Sequence, residues 1–257
     1  MKLPAPLLTA LTLVCLATGC PPADSKKTGG ETAATDTGAT ALSDRAKAIF
    51  GVLPKEALSA DNPTSEAKVA LGQMLYFDPR LSKNQQISCN SCHLVDKGGV
   101  DGEPTSPGHK GQRGGRNSPT VLNAALQSAG QFWDAREPNV EAQAKGPVLN
   151  PIEMAMPSAE HVVNVLKSIP GYAAPFKAAF GGDDPITYDN MAKAIGSYER
   201  KLLTPGAFEA FMGGDAAALN EQAQRGLTTF LDTGCIACHM GPVLGGAMLQ
   251  KLGLVEP

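Results

Sequence analysis

The pentapeptide Cys89-Asn90-Ser91-Cys92-His93 has the same arrangement of cysteine and histidine as Cys235-Ile236-Ala237-Cys238-His239, and the chain is organised around these two copies. Each copy has the form Cys-x-x-Cys-His, which is the attachment sequence of a c-type haem. The two thiols add to the haem vinyl groups, and the histidine ligates the iron. The sequence therefore predicts two covalent haems, attached through Cys89, Cys92, Cys235 and Cys238 and ligated by His93 and His239.

Three other uses of these cysteines fit the pattern less well. A four-cysteine zinc ribbon needs its two pairs close in sequence, whereas Cys92 and Cys235 are far apart. A thioredoxin-like redox pair does not require the following histidine in both copies. Disulfides suit an exported protein, but cysteines only two residues apart are poor partners for closing a long loop. With six cysteines and four histidines in 257 residues, one chance match is expected about 0.002 times, so the repeat favours haem.

The composition excludes several classes of protein. The chain has 257 residues, of which 42% are hydrophobic, so it can bury a core and is not disordered throughout. The net charge of −3 provides no basic surface, and we expect no nucleic-acid partner. Glycine and proline contribute 28 and 20 residues, which indicates long structured loops. The sequence contains no run of about 18 apolar residues, so it predicts no membrane-spanning helix.

The N-terminal residues 1–19 have the pattern of an export signal, with Lys2 followed by an apolar run and by small residues before Cys20. This segment is similar to a bacterial lipoprotein signal, which predicts a lipidated Cys20 as the mature N-terminus. Ordinary signal cleavage is the alternative, because Ala17 stands where such signals usually have leucine. Residues 20–42 are low in complexity and are predicted to form a disordered tether. Both alternatives place the protein in the periplasm, with or without a lipid anchor.

Helical periodicity dominates the rest of the chain, and the predicted fold class is mainly α. Apolar residues recur at helical spacing over 67–76, over 158–169 and over 188–202. The Thr-Pro-Gly sequence at 204–206 marks a boundary, which predicts one haem domain over 43–203 and a second over 204–257.

The segment 97–116 contains nine glycine or proline residues and is predicted to be a long loop. Loops of this length inside a compact domain are usually functional. It carries His109. From the residues alone, His109 is interpreted equally well as a surface histidine and as a second axial ligand of the first haem.

Several segments resemble the bacterial di-haem cytochrome c peroxidases, namely 71–82, 116–123, 131–134, 143–147 and 241–257. The resemblance extends over nearly all of 43–257. It implies two cytochrome-c-like domains, each with one haem c, and a calcium ion between them. It also implies that the protein reduces hydrogen peroxide to water in the periplasm, with electrons from a small cytochrome c or a cupredoxin. The implied oligomeric state is a homodimer.

The resemblance also implies roles for individual residues. His93 would belong to the low-potential haem that reacts with peroxide, and His239 to the high-potential haem that accepts electrons. His109 would ligate the first iron in the inactive oxidised state and leave on reduction. The remaining implied residues are Gln143 and Glu153 beside the reacting iron, Trp133 between the two haems, and Asn117 at the calcium ion.

The chemistry makes the role implied for Glu153 reasonable. Cleavage of the peroxide O–O bond requires a proton to move from one oxygen to the other, and a carboxylate can take and return it. The apolar neighbours Pro151, Ile152 and Met154 are expected to raise the pKa of Glu153. Without the resemblance, Glu153 would be interpreted as a surface charge at a helix entry and Gln143 as solvated helix surface.

The chain departs from the family pattern at its C-terminus. Related sequences continue beyond the equivalent of Pro257 and supply a methionine ligand for the second haem. We therefore expect this chain to be a fragment whose second domain is incomplete. A non-catalytic di-haem electron carrier is the alternative function, and the related di-haem enzymes that mature a quinone cofactor are a third.

Overall fold

The computed structural model describes residues 32–251 of the chain, with side chains from residue 37 onward. Within this range the structure is helical and contains only isolated β-bridges, which confirms the predicted mainly α class. Among these residues, no helix is both long and apolar enough to cross a membrane. The helices are α1 Thr32–Phe50, α2 Glu66–Tyr76, α3 Val140–Gln143, α4 Lys145–Leu149, α5 Ala159–Ser168, α6 Pro170–Phe180, α7 Tyr188–Glu199, α8 Ala207–Met212 and α9 Glu221–Asp232.

The main hydrophobic core forms where α2 packs against α7. The periodicity predicted over 188–202 is present, because Met191 and Ile195 are fully buried on one face of α7. Gly72 allows the close approach: a Cβ at this position would lie 1.9 Å from the carbonyl oxygen of Ala194. Because the α7 backbone fills that space, only glycine is accommodated at position 72 without a shift of one helix.

Helix starts follow from local sequence. The hydroxyl of Ser158 accepts a hydrogen bond from the backbone N–H of His161 at the start of α5. The side chain of Asn220 accepts from the N–H of Ala223 at the start of α9. These caps satisfy backbone donors that have no partner within the helix.

A second, smaller cluster joins α1 to α8 and α9 through Ala46, Phe50, Met212 and Leu231; we call it the C-terminal cluster. Residues of α1 that were predicted to belong to the first domain pack here with α8 and α9, which follow residue 204. Helix α1 begins at Thr32, within the segment 20–42 that was predicted to be a disordered tether. The predicted division of the chain at residue 204 stays a prediction. The predicted signal sequence 1–19, Cys20 and the segment 252–257 lie outside the described residues.

A buried ion pair connects α3 to the end of α7. The Arg200 guanidinium donates from Nε and Nη2 to the two carboxylate oxygens of Glu141, each at 2.8 Å. The Asn62 amide donates to the same carboxylate at 2.9 Å. These hydrogen bonds lower the pKa of Glu141, although burial alone would raise it. Gly196 provides the space, because a Cβ there would lie 2.7 Å from Glu141 Cγ.

We expect Arg200→Met to lower the free energy of unfolding by about 3–5 kcal/mol, because it leaves the Glu141 charge buried without a cation. The exposed Arg225–Glu221 pair, at 3.5 Å, is the matched control. Arg225→Met is expected to change the free energy by less than about 1 kcal/mol. Urea denaturation followed by circular dichroism measures both variants. Equal small losses in the two would show that the buried pair does not stabilise the fold.

Candidate haem cavity

A cavity of about 420 Å³ opens beside the first Cys-x-x-Cys-His motif. Its wall includes Cys89, Cys92 and His93, and it continues through the loop 114–121 and the segment 131–136 to α3, α4 and α7. Apolar side chains complete the lining, among them Val121, Val148, Met154 and Ile195. A macrocycle attached at the two cysteines therefore has an apolar space beside its attachment points.

His93 is held in the form that an iron ligand requires. Its Nδ1 lies 2.9 Å from the carbonyl oxygen of Pro119. A carbonyl can only accept, so Nδ1 carries the proton and the lone pair of Nε2 remains available for a metal. Burial lowers the pKa of His93, which keeps the ring neutral. The Tyr76 hydroxyl donates to the His93 carbonyl oxygen at 2.7 Å and fixes the backbone of the motif.

The two cysteines of this motif are free thiols in surroundings that disfavour charge. Burial raises the pKa of Cys89 to about 12 and also raises the pKa of Cys92. Zinc would bind thiolates, whereas a haem thioether is neutral. The sulfur environment therefore fits covalent haem.

The second motif repeats the histidine arrangement. His239 Nδ1 lies 2.8 Å from the carbonyl oxygen of Leu244. The edge of the His239 ring packs against Phe230, with the ring centroids 5.7 Å apart. Cys235 and Cys238 are exposed, in contrast to the first pair. Both motifs thus leave Nε2 of their histidine free to bind iron.

Two polar side chains predicted to act beside the first iron line the same cavity. Glu153 lies on the turn after α4, where the Asn150 amide donates to Glu153 Oε1 at 2.9 Å. Burial raises the pKa of Glu153, while the positive charge of Arg136 and the Asn150 hydrogen bond act in the opposite direction. Gln143, the last residue of α3, is the second of these side chains. The structure therefore brings a carboxyl and an amide to the wall that also holds His93.

His109 does not line the haem cavity. Its ring is buried and is not among the groups that line the cavity, and Nδ1 has no hydrogen-bond partner. Its backbone N–H donates to the carbonyl oxygens of Ile152 and Glu153 at 2.9 and 2.8 Å, so the loop is fastened to the turn that carries Glu153. Gly108 makes this contact possible, because a Cβ there would lie 2.0 Å from the Ile152 oxygen. Ligation of the first iron by His109 stays a prediction.

Trp133 and Asn117 lie at the rim of the cavity. Trp133 is 54% exposed, and its indole N–H donates to the carbonyl oxygen of Asn117 at 2.9 Å. Phe132 and Ala135, which flank residues 133–134, have positive φ angles of 66° and 52°, a backbone conformation that residues other than glycine rarely adopt. The expected path between two haems through Trp133 and the expected calcium site at Asn117 stay predictions.

Sequence reasoning missed Glu199, a carboxyl in the cavity wall. The signal was present: Met191, Ile195 and Glu199 are spaced by four residues and therefore share one face of α7. Met191 and Ile195 belong to the apolar periodicity predicted over 188–202, so a carboxyl at the next position of the same face should also be buried. Glu199 is 6% exposed.

A neutral histidine beside two thiols, on the wall of a cavity that also contains a carboxyl and an amide, defines a c-type haem protein with space for a small ligand. A family model described as di-haem cytochrome c peroxidase matches residues 66–217, and the chain belongs to this family. Membership implies haem c as the cofactor.

Named relatives agree with this assignment. The chain is 46% identical over 221 residues to cytochrome c551 peroxidase of Pseudomonas aeruginosa, covering 85% of this chain and 63% of the relative. It is 44% identical to cytochrome c551 peroxidase of Nitrosomonas europaea, covering 79% and 60%. It is also 41% identical to methylamine utilization protein MauG of Methylorubrum extorquens, covering 69% and 50%.

A solved structure has a similar fold. A MauG-like protein associated with microbial copper homeostasis superposes with a TM-score of 0.68 at 27% identity, covering 78% of this chain and 60% of the other. The chain thus spans between half and about two thirds of the length of these relatives.

Proposed function

We propose that this chain carries the haem groups of a periplasmic peroxidase that reduces hydrogen peroxide to water. Electrons would come from a small cytochrome c or a cupredoxin. The observation that carries the proposal is the cavity beside Cys89, Cys92 and His93, with Glu153 and Gln143 in its wall. The names of the related proteins support the same activity.

When bound, the haem supplies an iron that binds peroxide and accepts electrons. The protein supplies the rest of the chemistry. The Pro119 carbonyl keeps His93, which would ligate the iron, in the tautomer that leaves Nε2 free. The Gln143 amide donates a hydrogen bond that orients peroxide. The Glu153 carboxylate accepts a proton from one peroxide oxygen and returns it to the other, which leaves as water. Two electrons and two protons complete the reduction to two waters.

The Glu153 environment suits this task. A general base works best when its pKa lies close to the working pH, and burial moves the pKa of Glu153 upward in that direction. The Asn150 hydrogen bond and the nearby Arg136 charge limit the rise. The carboxyl can therefore be ionised before peroxide arrives and protonated during the reaction.

The proposal includes several further components. The second haem, attached at Cys235 and Cys238, would pass electrons to the first, with Trp133 between them. Asn117 would contribute to a calcium site, and His109 would ligate the first iron before activation. The export signal at 1–19 supports a periplasmic location, with Cys20 as a lipid anchor. A homodimer is expected from the family.

Ligand binding distinguishes this proposal from a non-catalytic electron carrier. Half-reduced holoprotein is expected to bind cyanide at one haem and to oxidise a reduced small cytochrome c when peroxide is added. Optical spectroscopy measures both. A carrier would keep two six-coordinate haems, bind no cyanide and show no peroxide-dependent oxidation, and that result would exclude the proposal.

We expect Asn150→Ala to move the acidic limb of the kcat/KM profile to higher pH. The Asn150 hydrogen bond favours the ionised form of Glu153, so its loss raises the pKa of the base. Because turnover needs the carboxylate, activity at the acidic end of the profile falls while the alkaline plateau is retained. Steady-state assays across pH measure the shift.

Ser158→Ala is the matched control for this prediction, because Ser158 and Asn150 each accept a hydrogen bond from a backbone N–H, and Ser158, which precedes α5, does not line the cavity. The control profile is expected to keep its wild-type limb. An Asn150→Ala profile with an unmoved limb would mean that Asn150 does not set the pKa of the catalytic base.

A further inference from the structure

A second carboxyl group faces the haem cavity and has no task in the mechanism above. Glu199 is the last residue of α7 and lines the same cavity as Cys89 and Glu153. It is 6% exposed. Among residues 32–251, no hydrogen bond to its side chain is formed. A buried carboxyl without a partner is costly and needs a physical explanation.

The adjacent cation does not neutralise Glu199. Arg200 directs Nε and Nη2 to the Glu141 carboxylate. Its Nη1 donates to the carbonyl oxygens of Ala57 and Leu58 at 3.2 and 3.4 Å. Each nitrogen of the guanidinium is therefore committed to another group.

The remaining groups around Glu199 make its charged form less favourable. Burial, and then the negative charge of Glu141 on α3, raise the pKa of Glu199 to about 8, against a smaller opposing effect of Arg200. In turn, the charge of Glu199 adds to burial in raising the pKa values of Tyr76 of α2, Tyr198 of α7 and Cys89. Glu199 is thus mainly protonated at neutral pH, and its protonation state responds to any charge that changes in the cavity.

Such a change occurs whenever a haem attached at Cys89 is reduced. Reduction adds one negative charge to the haem, and a nearby negative charge disfavours a carboxylate. The cavity that Glu199 lines also has apolar side chains in its wall, which screen a charge less than water does. The proton affinity of Glu199 must therefore be higher in the reduced protein than in the oxidised protein.

We propose that Glu199 takes up a proton when the first haem is reduced, and that it thereby couples the reduction potential of this haem to pH. An external one-electron donor supplies the electron to the iron, and solvent supplies the proton that bonds to a carboxylate oxygen of Glu199. The inference rests on haem attachment at Cys89 and Cys92. It does not depend on the reduction of peroxide, so the two proposals can fail separately.

The direction in which the reduction potential changes with pH follows from the linkage between reduction and proton binding. Glu199 has one pKa in the oxidised protein and a higher pKa in the reduced protein. At a pH below the two values it is protonated in either redox state, and at a pH above them it is ionised in either state. Between them, reduction binds a proton, so the potential falls as the pH rises. The window lies around pH 8, because burial and the negative charge of Glu141 raise the pKa of Glu199 to about 8. The greatest slope is about 59 mV per tenfold change in proton activity for a one-electron couple.

Spectroelectrochemical titration of the holoprotein at a series of pH values tests the proposal. The component of the first haem is the one that disappears when Cys89 and Cys92 are both replaced by serine. In the wild type its potential is expected to fall with pH across the window. Glu199→Gln, which has the shape of the protonated acid, is expected to lose most of this slope.

Controls separate Glu199 from other titrating groups. Glu153→Gln removes the other cavity carboxyl and is expected to retain the slope. Glu160→Gln, at an exposed position on α5, is expected to retain it as well. The second haem is an internal control, since its potential should be the same in Glu199→Gln as in the wild type. The haem propionates are present in every variant, so they account for any slope that Glu199→Gln keeps.

A Glu199→Gln protein with the full wild-type slope overturns the proposal, as does a wild-type potential that is independent of pH in this window. If Glu199→Gln does not fold, two other measurements test the proposal: the titration of Glu199→Asp and the uptake of protons when the wild type is reduced. Glu199→Asp keeps an ionisable group and is expected to keep the slope in a displaced window. Reduction of the wild type in weak buffer is expected to consume protons near pH 8, measured with an indicator dye. An unmoved window or no uptake contradicts the proposal.

Discussion

Glu153→Gln is expected to lower peroxide turnover by about 10²–10⁴-fold, the usual contribution of a positioned general acid–base group. Glutamine preserves the shape of the side chain and can still pair with Asn150, but it cannot accept and return a proton. Haem content should remain at the wild-type level. Steady-state oxidation of a reduced small cytochrome c by peroxide measures the loss.

The pH profile provides an independent check on Glu153. Wild-type turnover should rise with pH as Glu153 ionises, through a pKa above its ordinary value. The residual activity of Glu153→Gln should lack this limb. Glu160→Gln is the matched control, because Glu160 is exposed and lies on α5. Turnover in Glu153→Gln that remains within a few-fold of the control would remove Glu153 from the mechanism.

Replacing Cys89 and Cys92 together with serine is expected to abolish covalent attachment of the first haem and all peroxide turnover. Serine hydroxyls do not form the thioether bonds that hold haem c. The second haem should remain attached, so covalent haem per chain should fall by half. Pyridine haemochrome absorbance and the mass of the denatured protein measure this directly.

The matched variant replaces Cys235 and Cys238 with serine and should also halve the covalent haem. When His109 is also replaced by alanine, so that no protein ligand has to leave the first iron, this variant is expected to keep cyanide binding at the first haem, since the rest of that cavity is unchanged. Loss of cyanide binding only in this second variant would mean that the ligand-binding haem had been assigned to the wrong motif.

Much of the fold is predictable because it depends on local signals. The stripe through Met191 and Ile195 predicts a buried face, and α7 buries it. The two pentapeptides predict haem attachment without knowledge of the fold. Each of these features depends on residues close together in the chain.

Features that depend on contacts between distant segments were not predictable. Residues of α1 pack against α8 and α9, and no local pattern connects residues so far apart. The Pro119 carbonyl that orients His93 lies in a loop without regular periodicity. The buried state of Glu199 follows from the α7 stripe, but its lack of a partner depends on Glu141 occupying Arg200.

The position of His109 shows a further limit of sequence reasoning. A glycine-rich loop with a histidine predicts a movable ligand, which stays a prediction, and in the structure Gly108 leaves room for the His109 N–H to donate to the Ile152 carbonyl. The sequence does not reveal that contact, because it depends on the carbonyl of a turn more than forty residues away. Sequence identifies the residue type, and tertiary packing determines where its ring lies.

The stoichiometry of donor oxidation tests the central claim most directly. Pre-reduced holoprotein is mixed with excess reduced small cytochrome c, and peroxide is added in known sub-stoichiometric amounts while absorbance and dissolved oxygen are followed. We predict that two donor molecules are oxidised for each peroxide consumed and that no oxygen is released. Peroxide consumption with oxygen release, or no donor oxidation with both haems attached, would contradict the account.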